Sequence, residues 1–215
     1  MSARKNILAR IRAANKSAMG ADAEREDPIE RINTLPRSPL PDVSWDALEH
    51  FKKRSLASAS SIDCVAGLDE VPSAVNKYLS SNQLPSEIVG WSEFKELGWD
   101  ECDLTFQSRF AVGDDKVGMT GSFCAVAETG TLVLLSSTSN HATTSLLPET
   151  HIAVVRSSRI VKTMEDAWHL IREETGELPR QVNFISGPSR TADIEMTLVY
   201  GAHGPFRVHV IILDE

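Results

Sequence analysis

A chain of 215 residues with 41% hydrophobic and 24% charged side chains has the make-up of a globular α/β domain with room for an appended segment. Its net charge of −8 argues against a general nucleic-acid binder, which needs a basic stripe to displace counterions. The 3 cysteines (Cys64, Cys102 and Cys124) are odd in number, widely spaced and without a C-x-x-C pair, which supports neither a zinc or iron–sulfur site nor a disulfide framework and favours a reducing cytoplasm.

No apolar run approaches the roughly 18 residues of a membrane span. From Met1 to Lys16, Arg4, Lys5, Arg10, Arg12 and Lys16 alternate with Ile7, Leu8 and Ile11 at helical spacing. The charges interrupt any signal-peptide core, so a short amphipathic helix is expected. From Asn15 to Val43 the composition turns polar, with Pro28, Pro36, Pro39 and Pro41, and reads as a linker or a surface arm. A helix capped by Ser44 is expected to run to Ser58. Residues 1–60 are thus expected to form a helical arm and linker, and residues 61–215 an α/β domain.

Alternation then begins, with a strand at Ser61–Ala66, a helix at Glu70–Leu79 and a strand at Glu87–Trp91. Trp99–Gly118 reads as extended, with a turn at Gly113-Asp114-Asp115. A short helix is expected at Thr120–Ala127, ending at Gly130, followed by buried strands at Thr131–Leu135 and His151–Arg156. Thr163–Thr175 shows the clearest helical pattern, with Thr163 as cap, a stripe of Met164, Ala167, Trp168 and Ile171, and Gly176 as the stop. A strand at Val182–Ser186, a helix near Thr191–Tyr200 and a strand at Phe206–Leu213 complete the chain. Such alternation predicts an open three-layer α/β sheet with helices on both faces.

Three polar stretches could carry chemistry. The first is Gly187-Pro188-Ser189-Arg190-Thr191-Ala192-Asp193-Ile194-Glu195 with Gly201-Ala202-His203-Gly204-Pro205. A strand, a glycine turn and a helix start are where open α/β folds build ligand sites. Ser189 or Thr191 could cap the helix and leave N–H groups for an oxyanion, with Arg190 as a planar cationic donor. Asp193 and Glu195 would instead satisfy the same helix end, so an anion site and a self-satisfied cap stand as equal readings. His203, on a loop beside that turn, is a candidate acid, base or ligand, or a plain surface donor.

The second stretch, Glu128-Thr129-Gly130-Thr131, places a carboxylate beside a permissive glycine at the entry to a strand. It suits a nucleophile or base, or a helix end facing solvent. The third, Ser136 to Ser145, holds 8 hydroxyl or amide side chains in ten residues together with His141. Such loops bind carboxylates or phosphates through side chains and backbone nests, or are plain surface loops. His151, heading a strand, could pair with Glu128 or a main-chain carbonyl. A metal set drawn from His141, His151, His203, Glu128 and Asp193 has no ligand spacing behind it, so no metal is expected. The dinucleotide, P-loop and G-x-S-x-G patterns are all missing.

Ala127-Glu128-Thr129-Gly130-Thr131, Leu147-Pro148-Glu149-Thr150-His151-Ile152 and the Gly187–Glu195 segment with His203-Gly204-Pro205 together resemble the LUD domain, in particular its lactate utilization protein C (LutC) subfamily. The amino-terminal Arg4–Arg12 helix resembles that subfamily's start. The resemblance implies a fold like the sugar-phosphate isomerase and CoA-transferase (NagB/RpiA-like) group. It also implies a part in bacterial oxidation of L-lactate to pyruvate, beside partner proteins that carry the iron–sulfur clusters; no cofactor is expected in this chain. In that setting Arg190 would grip a small 2-hydroxy or 2-keto acid, with Thr129, Gly130, His141, Gly187, Ser189, Thr191 and Asp193 around it, and Glu128 or His203 would handle the proton. Two other readings stay open: an acyl- or phosphate-transfer enzyme with Glu128 as nucleophile, resembling the CoA-transferase glutamate at fold level, and a non-catalytic assembly subunit.

Overall fold

The computed structural model describes residues 3–18, 43–191 and 199–214. The proline-bearing stretch after residue 18 and the Asp193–Glu195 part of the third motif lie outside the described residues. Two compact units are present, one comprising Met1–Asp42 and the other Val43–Glu215. In the first, helix α1 spans Ala3–Ala18, with Ile7, Leu8 and Ile11 on one side and no acidic residue in its first turn.

The second unit begins with helix α2, Ala47–Ala57. Its cap is Asp46, not the expected Ser44: the Asp46 carboxylate accepts the Glu49 N–H at 2.9 Å, a stronger charge-assisted contact at the helix's positive end. There follow β1 (Ser61–Val65), α3 (Val71–Ser81), β2 (Glu87–Gly90), β3 (Thr105–Ser108), β4 (Val117–Gly121), β5 (Cys124–Val126), β6 (Thr131–Leu135), α4 (Thr143–Leu146) and β7 (Thr150–Arg156). The chain continues through β8 (Ile160–Val161), α5 (Met164–Thr175), β9 (Val182–Ile185), β10 (Arg190–Thr191), β11 (Val199–Tyr200) and β12 (Arg207–Leu213).

Six strands form one sheet in the order β1-β12-β7-β4-β2-β3, every neighbouring pair parallel. Alternation decides what each face covers. Ile152 and Val154 of β7, with Ile211 and Leu213 of β12, pack against Val71, Val75 and Leu79 of α3. Ala153 and Val155, with Val208, Val210 and Ile212, pack against Phe51 of α2 and against Leu132 and Leu134 of a second sheet. That second sheet is four-stranded, ordered β8-β5-β6-β9, and its far side is covered by Ala167 and Ile171 of α5. The α/β class is as expected. One face, however, is covered largely by a second sheet where helices were expected.

Two element assignments change. Thr120–Ala127 is not a helix but the end of β4, a turn and β5. All of β4 is buried, and a Cβ on Gly118 or Gly121 would overlap the Thr144 carbonyl or the Glu93 carboxyl, so these glycines serve close packing. The helix expected near Thr191–Tyr200 is replaced at both described ends by strands, since Arg190 pairs with Tyr200 and Thr191 with Val199 in antiparallel register. By contrast α5 matches its expected pattern, with a reciprocal Thr163–Asp166 capping box and Gly176 at φ 68° past its end.

Candidate functional site

In a parallel sheet the crevice forms beyond the carboxyl ends of the strands, where the connections diverge. A cleft of about 510 Å³ lies there, walled by Trp91 and Glu93 after β2, Gly121 and Ser122 at the end of β4, Asn140 from the hydroxyl-rich loop and Arg156 at the end of β7. Glu93 sits on a short 3-10 turn, Ser92–Phe94, whose Phe94 is anchored in the core. Its stem is exposed, but its carboxyl folds back onto Gly121. Partial burial there pushes its pKa up, against the opposing pull of a hydrogen bond from the Gly121 backbone and the charge of Arg156. A carboxyl so placed exchanges protons more readily near neutral pH than an ordinary surface glutamate.

Arg159, a second cation in the wall, is held by several contacts. Arg159 donates to both Glu174 oxygens at 2.6 and 2.9 Å, donates from Nε to the Phe123 carbonyl at 2.9 Å, and lies 4.7 Å from the Phe123 ring centroid. It braces the β4–β5 corner. The indole N–H of Trp91 donates to the His141 carbonyl at 3.2 Å, which ties the hydroxyl-rich loop to this wall. Within the loop, Ser137 Oγ accepts the Asn140 N–H at 3.0 Å and fixes the turn that brings Asn140 into the cleft. His141 itself is exposed, with its ring 5.5 Å from that of Phe110. Of the three polar stretches, this loop is the one that reaches the cleft.

The other two stretches meet elsewhere, around the carboxyl-terminal end of α2. Gly130, at φ 67°, leaves no room for a Cβ beside Arg54 and Ser55, and Ser55 Oγ donates to the Gly130 carbonyl at 3.3 Å. Gly187, at φ 80°, lies so near Ser58 that a Cβ would overlap the Ser58 carbonyl oxygen. Arg190 donates to that same carbonyl at 2.7 Å and lies 5.3 Å from the Tyr200 ring centroid, a cation placed at a helix's negative end. Thr129, Thr131 and Ser186 form a hydroxyl chain, at 2.7 and 2.5 Å, that ties the Glu128 turn to the Gly187 turn. Ser189 holds the neighbouring loop: its N–H donates to Pro205 at 2.9 Å, and its hydroxyl accepts the His203 N–H at 3.3 Å. Thr191 lies in the β10–β11 pair and His203 is exposed. Asp193 lies outside the described residues.

Glu128 is engaged as a helix cap, its Oε1 accepting the Met164 N–H at 2.9 Å at the start of α5. A carboxylate there complements the helix dipole. Glu128→Ala is expected to lower stability by about 1 kcal/mol, or roughly 2–4 °C in Tm, read by thermal unfolding. His151 does not pair with Glu128. It is fully buried, with Nε2 2.8 Å from Thr120 Oγ1. Among the described residues, no three His, Cys, Asp or Glu side chains form a group able to hold a metal ion, and no helix is long and apolar enough to cross a membrane.

Glu93 and Arg156 were not singled out by sequence reasoning, and Asn140 only as part of the Ser136–Ser145 stretch. The available signal was positional: Arg156 closes the expected His151–Arg156 strand, and Glu93 follows the expected Glu87–Trp91 strand by two residues.

Comparison with known proteins bears on the same region. Residues 107–213, which hold most of the cleft and both glycine turns, match the LUD domain. The chain belongs to the LUD-domain family. Its relatives include lactate utilization protein C of Shouchella clausii, 48% identical over 144 residues, a match that covers 60% of this chain and 62% of that protein. Lactate utilization protein C of Bacillus subtilis is 44% identical over 102 residues, covering 46% of this chain and 42% of that one. The chain is thus similar to lactate utilization protein C, and these matches span less than two thirds of those relatives' length. The fold is similar to the crystal structure of a DUF162 family protein from Deinococcus radiodurans, with a TM-score of 0.58 at 23% identity, covering 78% of this LUD-domain chain and 96% of that one.

Proposed function

We propose that this LUD-domain chain is a component of a lactate-utilization system and that its carboxyl-edge cleft binds a small 2-hydroxy or 2-keto acid. The observation that carries this reading is the placement of Glu93 and Arg156 in one crevice at the strand ends. Arg156 supplies the planar donor that a carboxylate needs, and the Asn140 amide supplies a neutral donor for a hydroxyl or keto oxygen. Conversion of L-lactate to pyruvate removes two protons and two electrons. Glu93, with its raised pKa, takes the hydroxyl proton. The C2 hydrogen would leave with its electron pair to a redox acceptor on partner subunits, where iron–sulfur clusters would relay the two electrons, so that the second proton leaves with the transferred hydrogen. The names of the relatives support the lactate assignment, and the contact of Arg190 with the Ser58 carbonyl favours Arg156 as the carboxylate donor in this reading.

Calorimetric titration of the full chain with L-lactate and with pyruvate tests this. Binding at millimolar ligand is expected, and Arg156→Ala is expected to weaken it more than tenfold, the worth of roughly 1.5–3 kcal/mol for a charge-assisted contact. No heat with either acid would refute the site.

A further inference from the structure

At the opposite, amino-terminal edge of the parallel sheet lies a second cleft, of about 420 Å³, between the starts of β1 and β12 and the end of α3. Its floor is a polar stack. The Tyr78 and His209 rings lie face to face at 3.9 Å, and Ser61 Oγ is 2.9 Å from His209 Nδ1. Two buried polar atoms of lining residues have no hydrogen-bond partner among the described residues: Ser60 Oγ and His209 Nε2, whose residues are 5% and 2% exposed. Unmatched polar groups are costly inside a protein, and two in one cleft wall mark a place where a ligand supplies what the fold does not.

The charges around the cleft specify the ligand's sign. Lys77 of α3 and Arg207 of β12 both line it, and both act electrostatically on the ring stack, Lys77 on His209 and Arg207 on Tyr78. Asp63 of β1 is the opposing charge and is turned to His209, with Oδ2 3.7 Å from Nε2. Glu149, near Arg207, is already paired with Lys116 at 2.6 Å. Two cations against one inward-turned carboxylate leave the cleft net positive. Neither Lys77 nor Arg207 belongs to the carboxyl-edge cleft.

We propose that this cleft is a second ligand site, which takes a small oxyanion, the phosphate or carboxylate group of a metabolite, between Lys77 and Arg207 with the Ser60 hydroxyl donating to it. Lys77 provides a point charge and Arg207 a planar fork, the pair of donors that oxyanions commonly meet. The His209 ring, just beneath, senses the occupant: a nearby anion favours its protonated form.

The test is NMR of the full chain, observing the His209 imidazole while inorganic phosphate and, separately, acetate are added. The expected result is a saturable shift of the His209 ring signals and a rise in its pKa with at least one of the two anions, and which anion acts tells phosphate from carboxylate. Lys77→Gln, an exposed substitution compatible with folding, is expected to weaken the response about tenfold, and Arg207→Gln likewise. Arg156→Ala, in the other cleft, leaves it intact. The proposal is overturned if neither anion moves His209 at tens of millimolar. It is also overturned if the response survives both cation substitutions, or if it disappears in Arg156→Ala.

Discussion

Acidifying the protein from about pH 7.5 to about pH 5 is expected to remove about 4 kcal/mol of folding stability, a large share of the 5–15 kcal/mol typical of a domain. Two buried histidines cause it. Burial pushes His151 down to about 3. Burial also pushes His209 down to about 4, aided by Lys77 and opposed by Asp63. Tyr78 and Ser61 complete the surroundings of His209, while His151 faces Thr120. In the unfolded chain both rings protonate near the usual value of about 6.5. Below that value the unfolded state binds more protons, so folding is favoured less as pH falls.

The stabilisation is therefore complete above about pH 6.5 and is lost progressively toward the two native values, at about 2 kcal/mol per ring by about pH 5. Urea unfolding at a series of pH values measures it. Between about pH 5 and 6, before carboxylates contribute much, the slope should approach two protons taken up on unfolding. His209→Asn should halve that slope. A flat stability profile over this window would show that the rings protonate in the folded state and that their burial is not what holds them neutral.

The second large effect is expected at the most conspicuous motif in the chain. Gly187→Ala should lower stability by roughly 2–4 kcal/mol, and Tm by about 6–12 °C, because two penalties add. The residue holds φ 80°, which a side chain resists, and the new methyl would overlap the Ser58 carbonyl oxygen. That carbonyl is also the acceptor for Arg190, so relaxing the clash breaks the 2.7 Å contact as well. Ligand binding in the carboxyl-edge cleft should survive in the fraction that stays folded, since Gly187 is not among its walls. A variant as stable as the parent yet unable to bind lactate or pyruvate would reverse the assignment and return the turn to a ligand role.

The contrast between the two glycine turns and the cleft shows what kind of information a sequence carries. Helix α5 was legible because its determinants are local: Thr163 and Asp166 form the cap within one turn, and Ala167 and Ile171 supply the buried stripe. Strands β6, β7 and β12 were legible for a related reason, since both faces are covered and the runs are almost continuously apolar. The Thr120–Ala127 segment failed because its strand character rests on partners. Thr120 and Gly121 extend beside Ala153 and Val154 of β7, and Cys124–Val126 beside Thr131–Val133 of β6. Small residues of this kind hold no local preference strong enough to compete.

The density of polar groups from Gly187 onward read equally as an anion site or as a self-satisfied structure. The structure has a strand at Arg190–Thr191 where a helix start was expected, and the described groups find other partners, with Arg190 on the end of α2 and Ser189 bracing the Pro205 loop. Glu128 follows the same logic at the start of α5. In both places hydrogen-bond partners far away in sequence consume groups that looked free along the chain.

Composition and periodicity alone determined the class of this protein and most of its long elements, because those depend on contacts between near neighbours, while its family was legible as a resemblance carried by its ordered motifs. What the tertiary structure decided was which polar groups are already satisfied and which face a crevice. Glu93 lies far along the chain from Asn140 and Arg156, and the three meet only because parallel strands carry them to one edge of the sheet. Lys77 and Arg207 meet at the other edge in the same way. No local pattern records such a meeting, since strand order is set by which faces bury together and not by the residues that the strand ends happen to bear.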